Sequence, residues 1–234
     1  MKAYILFAIS FLLACNPDKA TIPDEPVAID HTVELTTEIQ HSEYKRPPSC
    51  PEGMILISDS QFQFCIDQYE YPNIKGVLPP AAMDEYEAER LVEQSGKRLC
   101  TIDEWERACE GKHHYIYSYG PVYRAGVCND NKSGWVDPHW GLMFSPQWKS
   151  WALSLYKGEP SGNRPGCITD EGVVDMTGNV REWVQAPKSE YGYVVMSGYW
   201  FGTMAGPPTC TYQVHHARSF ASYEFGVRAC KDTQ

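Results

Sequence analysis

Asp175-Met176-Thr177-Gly178-Asn179-Val180-Arg181-Glu182-Trp183 packs chemically different demands into one short run. Carboxylates at Asp175 and Glu182 flank a glycine and an asparagine, so a tight turn here can aim carboxylate and carbonyl oxygens at one point. Calcium and other hard cations bind in such oxygen cages. A plainer reading competes: a turn between two strands, with Gly178 or Asn179 supplying positive φ and Trp183 filling the core. No standard calcium-loop motif is matched, which favours the plain turn on spacing alone.

Downstream, Tyr193 through Phe201 reads as a strand by its β-branched and aromatic content. A turn follows at Gly206-Pro207-Pro208, and a last strand spans Phe225 to Cys230. Cys230 near the end suits a staple from that strand to one of the helices. His215 and His216 are adjacent, so an extended backbone sends them to opposite faces and away from joint metal ligation.

Upstream, periodicity disappears between Lys112 and Asn163, where tyrosines and tryptophans recur among Gly, Pro, Ser and Asn. Long irregular segments are commonly functional or pinned by disulfides, and these aromatics are candidates to line a groove. His113, His114 and His139 lack metal-ligand spacing. Two helices are predicted ahead of this region. The first covers 85–95, with Asp84 as N-cap, Glu87 completing a capping box, Gly96 as the stop, and Ala88, Leu91 and Val92 on the buried face. The second starts in the capping box Thr101-Ile102-Asp103-Glu104, buries Trp105, Ala108 and Cys109, and stops at Gly111. Lys97 and Arg98 between them read as solvated or carboxylate-paired. Alternation in Met54–Ile57 and Phe62–Asp67 predicts a hairpin turning at Ser58-Asp59-Ser60, with Cys50 and Cys65 placed for an easy bridge near its open ends.

The chain begins with Lys2 and an apolar run from Ala3 to Leu13 that is too short to span a bilayer. It ends in Leu12-Leu13-Ala14-Cys15, a lipobox with cleavage expected ahead of Cys15. The expected organisation is therefore a lipoprotein signal peptide over 1–14, a lipidated Cys15 and flexible tether over 15–49, and one domain over 50–234. Asn16 after Cys15 points to the outer membrane rather than inner-membrane retention. A net charge of −10 argues against nucleic acid as a partner and offers no basic patch for anionic lipid. Membrane contact is expected through the acyl anchor. Beyond Cys15 there are eight cysteines, Cys50, Cys65, Cys100, Cys109, Cys128, Cys167, Cys210 and Cys230. An even number in an exported chain, with no C-x-x-C pair, indicates disulfides and leaves their connectivity open.

Three stretches, Gly96–Thr101 running into Glu104-Trp105-Glu106, Asp175–Trp183, and Gly226-Val227-Arg228, together resemble the formylglycine-generating enzyme (sulfatase-modifying factor) family over roughly Glu52 to Cys230. The resemblance implies an α+β, loop-rich, disulfide-stapled domain related to the C-type lectin fold. It also implies a structural calcium on the side chains of Asp175 and Glu182 and the carbonyls of Gly178 and Val180, and a second calcium beginning near Asn129 and Asp130.

The enzymes of this family oxidise a substrate cysteine to formylglycine with two active-site thiols, copper(I), a serine and an asparagine; soft thiolates suit copper(I). Here the first thiol position falls on Gly202, the second on Cys210, the serine on Tyr199 and the asparagine on Glu224. One cysteine cannot make a two-thiolate site. The resemblance therefore implies a degenerate, non-catalytic binding or structural module with an envelope or protein partner. Its groove would lie beside Tyr199, Trp200 and Glu224, and Cys210 would be bridged to Cys167. Cys100–Cys230 and Cys109–Cys128 are the remaining expected pairs. The rival is an oxidase with a relocated thiol or different copper ligands, using Cys210. A further possibility is a display scaffold akin to gliding-motility lipoproteins or lectin-like variable proteins.

Overall fold

The computed structural model describes residues 48–135, 140–142, 145–187 and 192–234. The expected signal peptide, Cys15 and nearly all of the tether lie outside the described residues, as does His139. By internal contacts the chain divides after Lys45, and the domain described here belongs to the unit Arg46–Gln234.

The expected hairpin is present. Strands β1 (Met54–Ser58) and β2 (Gln63–Asp67) pair antiparallel from Met54↔Asp67 to Ser58↔Gln63. Asp59 closes the turn by accepting from the backbone N–H groups of Gln61 (2.8 Å) and Phe62 (2.9 Å). Helix α1 (Glu85–Gln94) starts at Asp84, whose carboxylate accepts from Glu87 N. The reciprocal arm of the expected box is absent, because the Glu87 carboxylate binds Lys149 at 2.8 Å instead. After the short strand β3 (Arg98–Leu99), helix α2 (Ile102–Glu110) carries the complete box between Thr101 and Glu104. Lys97 and Arg98 are carboxylate-paired, to Asp67 and to Glu104 and Asp232.

The stretch expected to be irregular contains helix α3 (Trp148–Ser154). It buries Trp148 and Ala152, one helical turn apart, and its N-cap Gln147 makes no side-chain capping bond. Without a capping signal, this single apolar turn has little to mark it in the sequence.

Strands β4 (Arg181–Gln185), β5 (Tyr193–Met196), β6 (Gln213–His215), β7 (Phe225–Val227) and β8 (Ala229–Asp232) complete two four-stranded sheets. Their orders are β1-β2-β8-β3 and β6-β5-β4-β7, with β4 and β7 parallel. Two expected strands are shorter than their composition suggested. The first ends at Met196, because Ser197 takes φ 63° and turns the chain. The second is interrupted at Arg228, so Phe225–Val227 joins one sheet and Ala229–Asp232 the other. The cause is the fully buried Arg228 side chain, which reaches the Asp67 and Val174 carbonyls at 3.0 and 2.8 Å. One buried arginine thus sits where the chain crosses between sheets.

Four disulfides hold the loops: Cys50–Cys65, Cys100–Cys230, Cys109–Cys210 and Cys128–Cys167. The expected Cys167–Cys210 and Cys109–Cys128 pairs are thereby exchanged. Cys109, on the buried face of α2, meets Cys210 in the same core cluster. Cys128 and Cys167 instead bracket Thr177, with sulfurs 3.3 Å from its hydroxyl and 3.6 Å from its carbonyl oxygen. Cross-links closing such long loops restrict the unfolded chain strongly.

Candidate functional site

The Asp175–Trp183 stretch folds as a tight loop feeding β4. Asp175, Gly178 and Asn179 take φ of 59°, 93° and 56°. Gly178 is required on two counts, since a Cβ there would also lie 2.6 Å from the Asn129 carbonyl oxygen. The Asn179 side chain then ties the loop to its surroundings. Its amide donates to Glu70 at 2.8 Å, and its oxygen accepts from Asn129 Nδ2 and Glu159 N, each at 2.8 Å. Buried Glu70 also accepts from Ser161 and Val180 N at 2.9 and 3.2 Å. Burial, followed by the charges of Asp175 and Glu182, holds the Glu70 pKa well above the carboxylate range.

Glu182 faces a different partner from the one expected. The Arg228 guanidinium contacts both of its oxygens at 2.9–3.1 Å, and Trp105 Nε1 donates to it at 2.6 Å. All three residues are at most 1% exposed. Asp175 accepts from Gly162 N at 2.7 Å, and burial pushes its pKa up to about 6. A calcium ion on Asp175, Gly178, Val180 and Glu182 would have to displace the guanidinium and strand a buried charge, a loss of about 3–5 kcal/mol. This donor set therefore does not fit calcium: the cation on Glu182 is Arg228. The second expected position differs. Asn129 Oδ1 and Asp130 Oδ2 are buried with no hydrogen-bond partner among the described residues, and burial raises the Asp130 pKa to about 6.

A cavity of about 660 Å³ opens beside the ends of β4, β6 and β7. Tyr199 and Glu224 line it, as expected. Trp200 does not: it is fully buried behind them, packed on Tyr156 and Tyr223 at 4.9 and 5.9 Å. Cys210 is likewise off the lining and bonded to Cys109. All eight cysteines from Cys50 to Cys230 are in disulfides, so the described residues hold no thiol to bind copper(I). At the first thiol position, Gly202 has φ 81°, and a Cβ on it would lie 2.8 Å from the Asp130 carbonyl oxygen. The backbone itself occupies the space where a side chain would stand. Neither of the two positions that the resemblance assigns to the thiols holds a free thiol: Gly202 has no side chain and Cys210 is bridged to Cys109.

Several of the groove's polar groups engage one another, while Arg181 Nε is buried with no hydrogen-bond partner among the described residues. The Arg181 guanidinium lies over the rings of Tyr199 (5.1 Å) and Tyr212 (5.4 Å), donates to the Ser197 carbonyl at 3.3 Å, and pairs with Glu224 at 3.8 Å. Glu224 accepts from Ser222 Oγ at 2.5 Å; burial raises its pKa while Arg181 and Ser222 pull it down. The Tyr199 and Tyr223 hydroxyls bond each other at 3.2 Å. His216 stacks on Phe220 at 4.3 Å, and burial, with Arg181 and His215 beside it, depresses its pKa to about 4. It is therefore neutral near pH 7. His215 lines a separate cavity, as expected for opposite faces.

Arg181, Tyr212, His216, Ser222 and Tyr223 were not among the expected groove residues. Arg181 carried a signal: a charged residue within a run that buries both faces of a strand. The others come from loops and β6, brought together by sheet order alone.

Residues 44–234 match the sulfatase-modifying factor enzyme 1-like domain. Among solved structures, CarF aligns at 14% identity over 78% of this chain and 94% of its own, with a TM-score of 0.51. PvdO from Pseudomonas aeruginosa aligns at 14% identity over 76% and 90%, with a TM-score of 0.48. Treponema denticola variable protein 1 aligns at 22% identity over 58% and 47%, with a TM-score of 0.42. No curated protein matches. The likeness to CarF is one of fold; the domain match extends across both sheets and the Asp175–Trp183 loop, and by it the chain belongs to the formylglycine-generating enzyme, or sulfatase-modifying factor, family.

Proposed function

We propose that this protein is an envelope lipoprotein, anchored through Cys15 to the outer membrane, whose family domain is a non-catalytic binding module. The observation that carries the non-catalytic reading is the Cys109–Cys210 disulfide. It consumes the cysteine at the second thiol position, while the backbone at Gly202 closes the first. A groove without a nucleophilic thiol, yet open and walled with aromatic rings, supports recognition rather than oxidation. Non-reducing peptide mapping with thiol alkylation tests this: Cys109 and Cys210 should be recovered as one cross-linked pair. Alkylation of Cys210 in the native protein would restore the oxidase alternative.

The anchoring half of the proposal rests on the Leu12-Leu13-Ala14-Cys15 motif. Among the described residues no helix is long and apolar enough to cross a membrane. Metabolic labelling with a radioactive fatty acid should mark the wild type and not Cys15→Ser, and a wild type that takes up no label would refute lipid anchoring. For calcium, we favour Asn129 and Asp130, which each keep one buried oxygen without a hydrogen-bond partner among the described residues, over Glu182. A chelator should then lower Tm in the wild type and not in Asp130→Ala, since an ion bound only to the folded form stabilises it. An equal response in both would remove Asp130 from the account.

A further inference from the structure

The loop between β2 and α1 turns three aliphatic side chains towards solvent. Ile74, Val77 and Leu78 are 54%, 38% and 52% exposed, and Lys75 and Gly76 between them are exposed as well. Single apolar side chains on a surface are ordinary, whereas three within one short loop form a patch that marks a contact.

The loop is held in place along its whole length. At its start, Asn73 Nδ2 donates to the Gly53 carbonyl at 2.9 Å and to Asp67 at 3.0 Å, and the Asn73 side-chain oxygen accepts from Tyr69 N at 2.9 Å. In the middle, Gly76 N donates to Ser161 O at 2.8 Å, Ser161 N donates back to Val77 O at 2.9 Å, and Val77 N closes a turn on Ile74 O at 3.2 Å. At its end, the Tyr156 hydroxyl donates to the Pro79 carbonyl at 2.8 Å. A backbone ordered in this way loses little entropy when its tip is covered.

Position and chemistry together indicate what covers it. The Asn73 bond to Gly53 sets the loop against the first turn of the domain, just after the chain enters it at Pro48. Residues 16–47 join that entry to Cys15. A tether keeps a domain concentrated near its anchor, so a weak contact beside the entry point suffices. The side chains themselves are aliphatic, and none of the three lines the groove or the cavity at His215. Protein hot spots favour Trp, Tyr and Arg, with Leu and Val under-represented. Entry among acyl chains asks only for apolar area, without direction or matching hydrogen bonds. Lys75 is the one charged side chain from Ile74 to Pro80, and a lysine lays its methylenes on apolar surface while its ammonium stays at headgroup level.

We infer that Ile74, Val77 and Leu78 form a membrane-contact loop that enters the acyl boundary of the lipid surface holding the protein. Its setting rests on the anchored reading of Cys15; apolar insertion needs no basic patch, in keeping with the net charge of −10.

The test couples lipid-free mature protein through Cys15, the cysteine outside the four disulfides, to a maleimide lipid in phosphatidylcholine vesicles that also carry a photoreactive acyl chain. Mass spectrometry should find at least tenfold more label on the Ile74–Leu78 peptide than on the peptide of Val122, which is 68% exposed on another loop. Ile74→Asp with Leu78→Asp should lower labelling of the loop at least tenfold at unchanged Tm, and so should the milder Ile74→Ser with Leu78→Ser; Val122→Asp should leave it as in the wild type. Label spread evenly over exposed loops, or label on the loop that survives both double substitutions, would overturn the inference. An unlabelled loop would overturn it too and leave the patch to a protein partner. Because the coupling is chemical, fatty-acid labelling of Cys15 decides the natural anchor separately.

Discussion

The Asp175–Trp183 loop and the aromatic groove share strand β4, yet they relate to the family in opposite ways. The loop keeps the residues that carry the resemblance and folds them inward: Gly178 at positive φ, Trp183 buried in the core, and Glu182 paired with Arg228 of the Gly226-Val227-Arg228 motif where the resemblance implied a metal. In the groove, the positions that the resemblance assigns to the two thiols, the serine and the asparagine hold Gly202, a disulfide-bonded Cys210, Tyr199 and Glu224. Adjacent residues Arg181 and Glu182 divide the two regions, one serving the groove and the other the core. A fold of this kind can lose its chemistry while retaining its scaffold, because the groups that hold the sheets together are not those that reacted.

That contrast is most easily broken at Arg228. Replacing it with methionine leaves Glu182 buried without its cation and should reduce stability by about 3–5 kcal/mol in urea unfolding. A loss under about 1 kcal/mol would mean that another cation holds Glu182 and that the loop retains the family's metal after all. Next in size is the groove-side disulfide. Cys109→Ala with Cys210→Ala should cost about 2–5 kcal/mol and bring no oxidase activity, because it leaves no thiol at either position.

Gly202→Cys probes the same contrast from the other side. Positive φ and the close Asp130 carbonyl should make it destabilising by about 1–3 kcal/mol, and its thiol should fail to form a copper(I) site. A well-folded Gly202→Cys protein of wild-type stability would show that the groove backbone is not closed.

The smallest effect concerns pH. His216 has a folded pKa near 4 against an ordinary 6.5, so between these values the unfolded chain binds a proton that the folded chain refuses. Its contribution is fully present above pH 6.5 and is lost as pH falls towards 4. Asp175, with its pKa raised to about 6, runs the other way, losing stability as pH rises through that value. The informative quantity is therefore the difference between wild type and His216→Phe, whose stability advantage over wild type should grow as pH falls below 6.5. A constant difference from pH 7 to 4 would mean that His216 titrates normally.

The scaffold was readable in advance wherever a local signal stated the physics. Thr101 and Glu104 announced α2 through reciprocal capping, and Ser58-Asp59-Ser60 marked a hairpin between alternating strands. Arg228 did not announce itself, because nothing in Phe225–Cys230 says that a residue in the middle turns inward and divides the strand between two sheets. The same limit applied to the cysteines. Cys50–Cys65 follows from a hairpin, whereas Cys109–Cys210 joins a helix to a loop 101 residues away. For the groove, Tyr199 and Glu224 follow from the family resemblance, whereas Trp200, the neighbour of Tyr199 in an irregular turn, points to the core. Met204 and Trp135, which frame the mouth, sit in loops whose composition carries no periodic signal.

If the family's fold persists here without its thiol chemistry, as proposed, the protein should bind but not oxidise. The direct measurement supplies purified mature protein, copper(I) and oxygen to a cysteine-containing sulfatase-type peptide and follows aldehyde formation by mass spectrometry. The account predicts that the peptide remains a thiol or forms disulfides, with no aldehyde above a protein-free control. Multiple turnovers to formylglycine would contradict it.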